Sequence, residues 1–369
     1  MKIPYSYLDR EFENFDMNLL SNTIKNGDFT RGHQVIQFQN KLSQYLGNCY
    51  ALGVGNGTDA LEIALHTIKK YYSHNREKNE IIVPANTFIA SISAIVREGL
   101  VPVLCDVNMS NVIDPLKIEK LITRKTLAIL PVHFQGQPCD MPLIVELADM
   151  YNITIIEDAA QALDASHSGV LCGNWGTIGC FSFHPQKNLN CLGDGGAITT
   201  YREEIYDYML KYSNHGMVNR DTYTMFGRNS RLDSIHAAYL NHRLPELHAN
   251  NNKRIRIAQQ YDEAFRGLPE ISVPERSRLE RHTYHLYIIS VLRRDVLLEY
   301  LTENGIEAKI HYPKPLHLQE CSKFLGYEKG DFPITERLCE ISISLPIHQY
   351  MSDQEVNFVT NTILDFYDA

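Results

Sequence analysis

Short apolar runs alternate with amphipathic stretches from about residue 49 onward, and this alternation constrains the fold more than any other feature of the sequence. It is typical of βα units built around a largely parallel sheet. A helix is predicted over residues 59–70, because Leu61, Leu65 and Ile68 fall on one face. The apolar runs predict strands at 51–54, 81–84, 102–107, 127–132, 154–157 and 179–183.

The alternation ends after residue 240. A polar, helix-like stretch is followed by a strand-like run at 282–292, a helix candidate at 294–304 and a closing helix at 352–367. This order predicts a second, smaller α+β domain. We therefore expect a large α/β domain over residues 1–250, with an N-terminal arm at 1–20, and a small C-terminal α+β domain over 251–369.

Composition and charge exclude several classes of protein. The formal net charge of −9 disfavours non-specific binding of nucleic acid. The eight cysteines contain no C-x-x-C pair, and His282 and His285 would point to opposite faces of a strand, so no metal site is predicted. No apolar run approaches the ~18 residues of a membrane span, and no signal peptide is evident. We expect a cytoplasmic protein.

The segment GVGNGTDALEIAL joins a predicted strand to a predicted helix. The backbone N–H groups of Gly57 and Thr58 lie at the helix start, where helices bind phosphate. The glycine spacing matches neither a Rossmann fingerprint nor a P-loop. The alternative is an ordinary tight turn in which Thr58 or Asp59 caps the helix.

The segment IIEDAAQAL places Asp158 at the carboxyl end of a buried strand, which is where open α/β sheets bind ligands. A carboxylate at this position can hold a cationic ring nitrogen. The alternative is that Asp158 caps a helix beginning at the following alanines.

The segment CFSFHPQKNLNCLGDGG contains Lys187. Pro185 ends the strand before it, so the lysine is expected in a turn, with the hydroxyl of Ser182 close by. A lysine for a Schiff base, a carboxylate for a pyridinium nitrogen, and a helix start with a hydroxyl for phosphate together match pyridoxal 5′-phosphate. Phe88 is positioned to stack on the cofactor ring, the alternative being core packing.

The sequence resembles the nucleotide-sugar aminotransferases of the DegT/DnrJ/EryC1/StrS family, and the resemblance covers nearly the whole chain. The resemblance implies the fold-type I architecture: a large domain with a mainly parallel seven-stranded sheet flanked by helices, and a smaller C-terminal α+β domain. The matching stretches are GVGNGTDAL, VPANTFIAS, PVHFQGQPCDM, IIEDAAQAL, CFSFHPQKNL, GDGGAI, GRNSRLDSIHAA, KIHYPKPLHLQ and SLPIHQYMSDQEV.

The resemblance also implies roles for individual residues. Catalysis is assigned to Lys187 and Asp158. Substrate binding is assigned to His184, Arg231, His311, Tyr312 and His317. Cofactor binding is assigned to Gly57, Thr58, Phe88, Asp158, Gln161, Ser182, Lys187 and, reaching across a homodimer with shared active sites, Asn229.

The reaction implied by the resemblance transfers an amino group from L-glutamate, leaving 2-oxoglutarate, to a keto sugar on a nucleoside diphosphate. The cofactor alternates with pyridoxamine 5′-phosphate, and the product serves a surface polysaccharide such as a lipopolysaccharide O-antigen. Asp164 and Asn190 stand where many members carry glycine, which bears on substrate preference. The alternatives are a keto sugar without nucleotide, a carbocyclic ketone, or a non-catalytic cofactor-binding regulator, against which the acidic charge counts.

Overall fold

The computed structural model describes residues 1–6, 8–12, 15–73 and 78–368, so part of the predicted N-terminal arm lies outside the described residues. The strands are β1 (Tyr50–Val54), β2 (Glu80–Pro84), β3 (Val101–Cys105), β4 (Thr126–Ile129), β5 (Thr154–Asp158), β6 (Ser166–His167), β7 (Val170–Leu171), β8 (Ile178–Ser182), β9 (Gly196–Thr200), β10 (Met217–Asn219), β11 (Thr222–Tyr223), β12 (Ile271–Ser272), β13 (Glu280–Arg281), β14 (Tyr287–Val291) and β15 (Ser342–Leu345).

Helices flank these strands. The α-helices are α1 (Asn18–Lys25), α2 (His33–Tyr45), α3 (Gly57–Tyr72), α4 (Ile89–Arg97), α5 (Pro115–Ile118), α6 (Met141–Tyr151), α7 (Glu203–Tyr212), α8 (Ser234–Arg243), α9 (Leu247–Ala264), α10 (Arg294–Glu303), α11 (Pro333–Ile341) and α12 (Asp353–Asp368). Short 3-10 helices lie at Leu8–Phe12, Glu119–Leu121, Phe134–Gly136, Leu244–Glu246, Leu316–Leu318 and Glu320–Leu325.

A seven-stranded sheet organises the N-terminal two thirds of the chain, in the order β1-β9-β8-β5-β4-β2-β3. Only β9 runs antiparallel to its neighbours, β1 and β8. All six predicted strands are present in this sheet. The individual predictions had missed β9, because its residues follow the glycine turn of GDGG and show no clear alternation.

Helix α3 packs against this sheet and buries half of its residues. Its predicted apolar face is confirmed, since Leu61, Leu65 and Ile68 are all at most 2% exposed. Burying each such side chain contributes about 1.5–3 kcal/mol to the free energy of folding, so this apolar face holds the helix against the sheet. The helix start is thereby held at the sheet edge where β5 and β8 end.

The C-terminal residues build a second apolar core around the antiparallel sheet β12-β14-β15 and the helices α9, α10 and α12. Ile3 joins this core and is 0% exposed, because its backbone bonds to Gly305 and Glu307. The predicted boundary at residue 250 lies inside α9, and the division into two domains stays a prediction. No helix in the described part of the chain is long and apolar enough to cross a membrane.

The predicted strand at 282–292 is present only from Tyr287 onward. The five residues before it lie outside the ladder, and Tyr284 among them has a positive φ of 46°. His282 and His285 therefore do not lie in a strand, and the prediction that they point to its opposite faces was wrong. Within the described ranges, no cluster of three or more His, Cys, Asp or Glu side chains is arranged to hold a metal ion.

Candidate active site

A cavity of about 640 Å³ lies at the carboxyl ends of β2, β5 and β8. The ends of parallel strands meet at one edge of a sheet, which is where α/β folds place their ligands. The first turn of α3 closes one part of the cavity. The N-terminal segment and the C-terminal core contribute further walls, including Tyr5, Glu11, Arg254, His311 and Tyr312.

Helix α3 starts at the cavity with a side-chain cap. Asn56 is the capping residue, and its Oδ1 accepts the backbone N–H of Asp59 at 2.8 Å. The alternative prediction, a cap formed by Thr58 or Asp59, was wrong. Gly57 and Thr58 are instead the first helical residues, whose N–H groups have no partner within a helix and carry the positive end of its dipole.

The helix start lies directly against β8. A Cβ added to Gly57 would be 2.7 Å from the Cβ of Ser182, so only glycine permits this approach. A Cβ on Gly196 would lie 2.5 Å from the carbonyl carbon of Asn56, which explains one glycine of the GDGG turn. The helix N–H groups and the Ser182 hydroxyl thus line one end of the cavity and fit a phosphate group.

Asp158 ends β5 and is 5% exposed at the cavity wall. Its Oδ2 accepts the hydroxyl of Ser91 at 2.8 Å, and its Oδ1 accepts the N–H of Ala160 at 3.2 Å. Burial raises the pKa of Asp158, while these hydrogen bonds and the charge of Lys187 oppose the rise. Turns rather than a helix follow β5, so the alternative interpretation of Asp158 as a helix cap was wrong.

Lys187 lies in the turn after β8, half-buried in the wall of the same cavity. Its backbone N–H donates to the carbonyl of His184 at 2.8 Å. Burial lowers the pKa of the Lys187 side chain to about 8, because loss of solvent outweighs attraction to Asp158. A lysine with such a pKa carries more free amine near neutral pH than an ordinary surface lysine does, and the free amine is the form that attacks an aldehyde.

Phe88 and Gln161 also line this cavity. Phe88 is 54% exposed, so the alternative prediction of core packing was wrong. Its ring centroid lies 6.3 Å from that of Tyr312. Gln161 accepts the backbone N–H of Gln135 through Oε1 at 2.5 Å, which fixes its side chain. An amine, a buried carboxylate, a phosphate cradle and an aromatic ring thus share one cavity, and they fit pyridoxal 5′-phosphate.

Three of the predicted substrate residues line the cavity: His184, His311 and Tyr312. His311 Nδ1 lies 2.9 Å from the hydroxyl of Ser344, and burial lowers the pKa of His311 to about 4. Burial likewise raises the pKa of Tyr312. The imidazole and the phenol are therefore neutral at physiological pH and can exchange hydrogen bonds with sugar hydroxyls.

The other two predicted substrate residues, Arg231 and His317, do not line this cavity, and neither does Asn229, which was predicted to bind the cofactor. His317 is 1% exposed, and its Nε2 lies 3.1 Å from Glu336 Oε1, so its position does not support contact with a sugar. Asn229 and Arg231 follow the hairpin β10–β11. Asn229 forms a β-bridge with Asn214, and Arg231 donates to the Oδ1 of the same asparagine at 3.5 Å.

The two departures from the family pattern have different surroundings. Asp164 adopts a left-handed φ of 72°, which explains why glycine suits this position. Its Oδ2 accepts a hydrogen bond of 2.8 Å from Arg281 Nη2, and neither residue lines the cavity. Asn190 donates to Oε2 of Glu11 at 2.7 Å, and Glu11 lines the cavity. Of the two, only Asn190 is therefore connected to the substrate region.

Sequence reasoning missed Ser91, Arg254 and His285. Ser91 stands within the quoted VPANTFIAS, where its helical position could have indicated an inward-facing hydroxyl. Arg254 lies in a stretch that reads as a polar surface helix, yet it is 6% exposed. His285 lines the cavity although its segment reads as a strand. No sequence signal distinguishes the last two from surface residues.

Comparison with known proteins gives a family match over residues 10–364, to the DegT/DnrJ/EryC1/StrS aminotransferase family. One relative is dTDP-3-amino-3,6-dideoxy-alpha-D-galactopyranose transaminase from Aneurinibacillus thermoaerophilus. It is 39% identical over 346 residues, covering 93% of this chain and 93% of the relative.

Two solved structures are similar over the whole chain. That of S. venezuelae DesV in complex with a ketimine intermediate has a TM-score of 0.95 and 32% identity, covering 100% of this chain and 99% of that one. That of NtdA from Bacillus subtilis with bound cofactor PMP has a TM-score of 0.89 and 31% identity, covering 100% and 86% respectively.

Proposed function

The chain belongs to the DegT/DnrJ/EryC1/StrS aminotransferase family, and from that premise we propose that it transfers an amino group from L-glutamate to a keto sugar carried on a nucleoside diphosphate. It has the fold-type I architecture of its relatives and is a pyridoxal 5′-phosphate-dependent sugar aminotransferase. The observation that carries the proposal is the convergence of Lys187, Asp158 and the α3 start in one cavity, which neutral His311 and Tyr312 extend.

Different residues of the cavity would bind different parts of the cofactor. The N–H groups of Gly57 and Thr58 and the hydroxyl of Ser182 would hold the phosphate, and Phe88 would lie against the ring. Asp158 would keep the ring nitrogen protonated, because a buried carboxylate with only two hydrogen-bond donors gains most from a cationic partner. When bound, pyridoxal 5′-phosphate supplies an aldehyde that accepts the amino group and a ring that stabilises negative charge.

Lys187 moves protons once it is freed from the cofactor. Its pKa of about 8 lets the amine accept a proton from the donor's α-carbon and return one near neutral pH. In the second half of the reaction the same amine acts in reverse at the sugar carbon. Gln161, whose side chain is held by the backbone N–H of Gln135, would contact the ring hydroxyl of the cofactor.

The sugar-binding end of the site involves His184, His311 and Tyr312. The name of the A. thermoaerophilus relative refers to an amino deoxy sugar on dTDP, which supports a product of the same class here. We place the reaction in the cytoplasm, in the biosynthesis of an amino sugar for a surface polysaccharide or glycoconjugate such as an O-antigen.

A second copy of the chain would complete the site. The hairpin β10–β11 and the loop after it expose Val218, Tyr223 and Phe226, the last of them fully. Exposed apolar side chains gathered on one hairpin are typical of an interface. Asn229 follows directly and does not line its own cavity, so we infer a homodimer in which Asn229 reaches the phosphate held by the other subunit.

Mixing two inactive variants tests the shared site. Lys187→Ala and Asn229→Ala subunits, refolded or co-expressed together, each supply what the other lacks. Random pairing makes half of the dimers mixed, each with one intact site, so about a quarter of wild-type activity returns. A mixture no more active than its components would show that Asn229 serves its own subunit or none.

Substrate comparison tests the function itself. The purified enzyme is loaded with pyridoxal 5′-phosphate, given L-glutamate, and assayed with keto sugars linked to dTDP or UDP and with the same sugars as free sugars and as sugar phosphates. We expect kcat/KM to be at least about a hundredfold higher with the nucleotide, because remote binding energy is used in the transition state. Equal turnover without the nucleotide would instead establish a free-sugar or sugar-phosphate aminotransferase.

A further inference from the structure

Arg254 of α9 is a buried arginine in the wall of the cavity, and it is 6% exposed. Its Nε donates to Oε1 of Gln349 at 3.1 Å. Its Nη1 donates to the carbonyl oxygens of Tyr284 at 3.2 Å and Ile347 at 3.0 Å. All three acceptors are electrically neutral, and none of these bonds uses Nη2.

Arg254 also lacks a carboxylate partner. Among the residues that the structure describes, no Asp or Glu oxygen lies within 4.0 Å of its guanidinium group. Arg243 is also a buried arginine, but it forms ion pairs with Glu11 at 3.6 Å and with Glu246 at 3.1 Å. Burial lowers the pKa of Arg254 only to about 10, so it keeps its charge. A buried, charged and unpaired group is costly unless an anion binds to it.

The surrounding contacts hold this guanidinium in place. Gln349, which accepts from Arg254, donates its own Nε2 to Glu11 Oε1 at 3.2 Å. Glu11 in turn accepts from Asn190 at 2.7 Å and pairs with Arg243. The charge of Glu11 also raises the pKa of Arg254, against the effect of burial, but the ion pair that Glu11 forms is with Arg243, so Nη2 of Arg254 is left for a ligand. A rigid, preorganised guanidinium binds its partner with less loss of entropy.

Arg254 and Lys187 act on the same part of the cavity. Arg254 donates to the carbonyl of Tyr284 at 3.2 Å, and Nδ1 of the next residue, His285, lies 3.3 Å from Oδ1 of Asn188, which follows Lys187 in the chain. In agreement with this, burial and then the positive charges of Lys187 and Arg254 lower the pKa of His285. The phosphate cradle is built from other elements, the start of α3 and the end of β8. An anion on Arg254 would thus lie near the amine of Lys187 and apart from the cofactor phosphate.

We propose that Arg254 binds the α-carboxylate of the amino-acid donor. This inference rests on the proposed function. In an amino acid the α-carboxylate is attached to the very carbon whose proton Lys187 removes, so it must lie close to that amine. The diphosphate of a sugar nucleotide is separated from its keto carbon by the sugar ring and lies farther out. The two N–H groups of Nη2, which none of the three bonds uses, can donate charge-assisted hydrogen bonds to that carboxylate.

Calorimetric titration of the cofactor-loaded enzyme with glutarate tests the assignment. Glutarate carries both carboxylates of L-glutamate but no amino group, so it binds without reacting. Arg254→Gln should weaken glutarate binding about 10- to 100-fold, as expected for loss of a charge-assisted hydrogen bond, and leave binding of thymidine diphosphate within about threefold. Arg254→Lys keeps the charge without the planar fork and should weaken glutarate binding by a smaller factor.

Arg294 offers a matched control. Its Nη1 also donates to two carbonyl oxygens, of Cys339 at 3.0 Å and Ser342 at 3.1 Å, but it does not line the cavity. Arg294→Gln should therefore lower stability and leave glutarate binding within about threefold.

Two results would overturn the assignment: unchanged glutarate binding in both Arg254 variants, or a loss confined to thymidine diphosphate. If Arg254→Gln does not fold, Arg254→Lys alone decides. Failure of the proposed function is seen separately, because neither glutarate binding nor amino transfer from L-glutamate to the cofactor needs a sugar. Normal donor chemistry without turnover of any nucleotide sugar would refute the function and leave Arg254 assigned.

Discussion

Glu157 and Asp158 are adjacent carboxylates on β5 that face opposite sides of the sheet, and their surroundings differ sharply. Glu157 is 0% exposed and accepts the backbone N–H groups of Gly173, Trp175 and Gly176, each at 2.7 Å. His133 Nε2 lies 3.0 Å from its Oε2. A carboxylate has about four acceptor positions, so Glu157 has no capacity left for a ligand.

The proton of His133 is placed by its other contact. Cys139 donates its backbone N–H to His133 Nδ1 at 3.0 Å, so Nδ1 carries no hydrogen and Nε2–H points at Glu157. Asp158, in contrast, receives two donors and faces the cavity. Both carboxylates are buried, so burial does not distinguish them. The number of hydrogen-bond donors does: Glu157 has four and is structural, whereas Asp158 has two and can still accept from a cation.

Of the three substitutions compared, Asp158→Asn should have the largest effect, and that effect should be on kcat. Asp158→Asn keeps the shape and removes the charge that would keep the ring nitrogen protonated. We expect kcat to fall roughly 10²- to 10⁴-fold, the range of a typical acid–base contribution. The unfolding temperature of the cofactor-free protein should change little, since the buried charge is itself costly. Activity within tenfold of wild type would remove the distinction between the two carboxylates.

Replacing the core-facing carboxylate should affect stability instead. The amide NH₂ of Glu157→Gln would face N–H donors, leaving at least one of them without an acceptor. Each such buried donor costs about 1–3 kcal/mol in the free energy of unfolding, measurable by denaturant titration. The folded fraction should retain kcat within about threefold. A large loss of kcat at unchanged stability would mean that Glu157, too, acts on the cofactor.

Removing the Ser91 hydroxyl, which donates to Asp158, should have the smallest effect of the three substitutions. Its hydrogen bond lowers the pKa of Asp158 and so opposes the rise caused by burial. Ser91→Ala should therefore raise that pKa and move the acid limb of the kcat/KM profile to higher pH. A net hydrogen bond of about 0.5–1.5 kcal/mol corresponds to ~0.4–1.1 pH units.

The control for Ser91 is Ser91→Thr, which keeps a hydroxyl. Its profile should superpose on that of the wild-type enzyme. If the profiles of Ser91→Ala and Ser91→Thr coincide, Ser91 does not influence the protonation of Asp158.

Sequence patterns were sufficient for the parts of the fold governed by local rules. The six parallel strands and α3 follow from hydrophobic periodicity, and the cavity-facing positions of Asp158 and Lys187 follow from strand ends and Pro185. Strand β9 was not predictable, because its place in the sheet depends on pairing with β1 and β8, far away in sequence.

The missed residues have a common physical reason. Arg254 resembles a surface arginine in sequence, and only the packing of α9 against the segment at residues 347–349 buries it. The four donors around Glu157 come from two other segments, residues 173–176 and His133, so nothing in IIED tells Glu157 from Asp158. His317, which the resemblance assigns to substrate binding, lies in the interior beside Glu336, and its role stays a prediction.

The decisive experiment is reductive trapping of the cofactor on Lys187, in the cavity that Asp158 faces. The protein is incubated with pyridoxal 5′-phosphate, reduced with borohydride, digested, and analysed by mass spectrometry. We expect one pyridoxyl group on the peptide that contains Lys187, and none on the Lys187→Ala protein. A label on a different lysine, or an equally labelled Lys187→Ala protein, would contradict it.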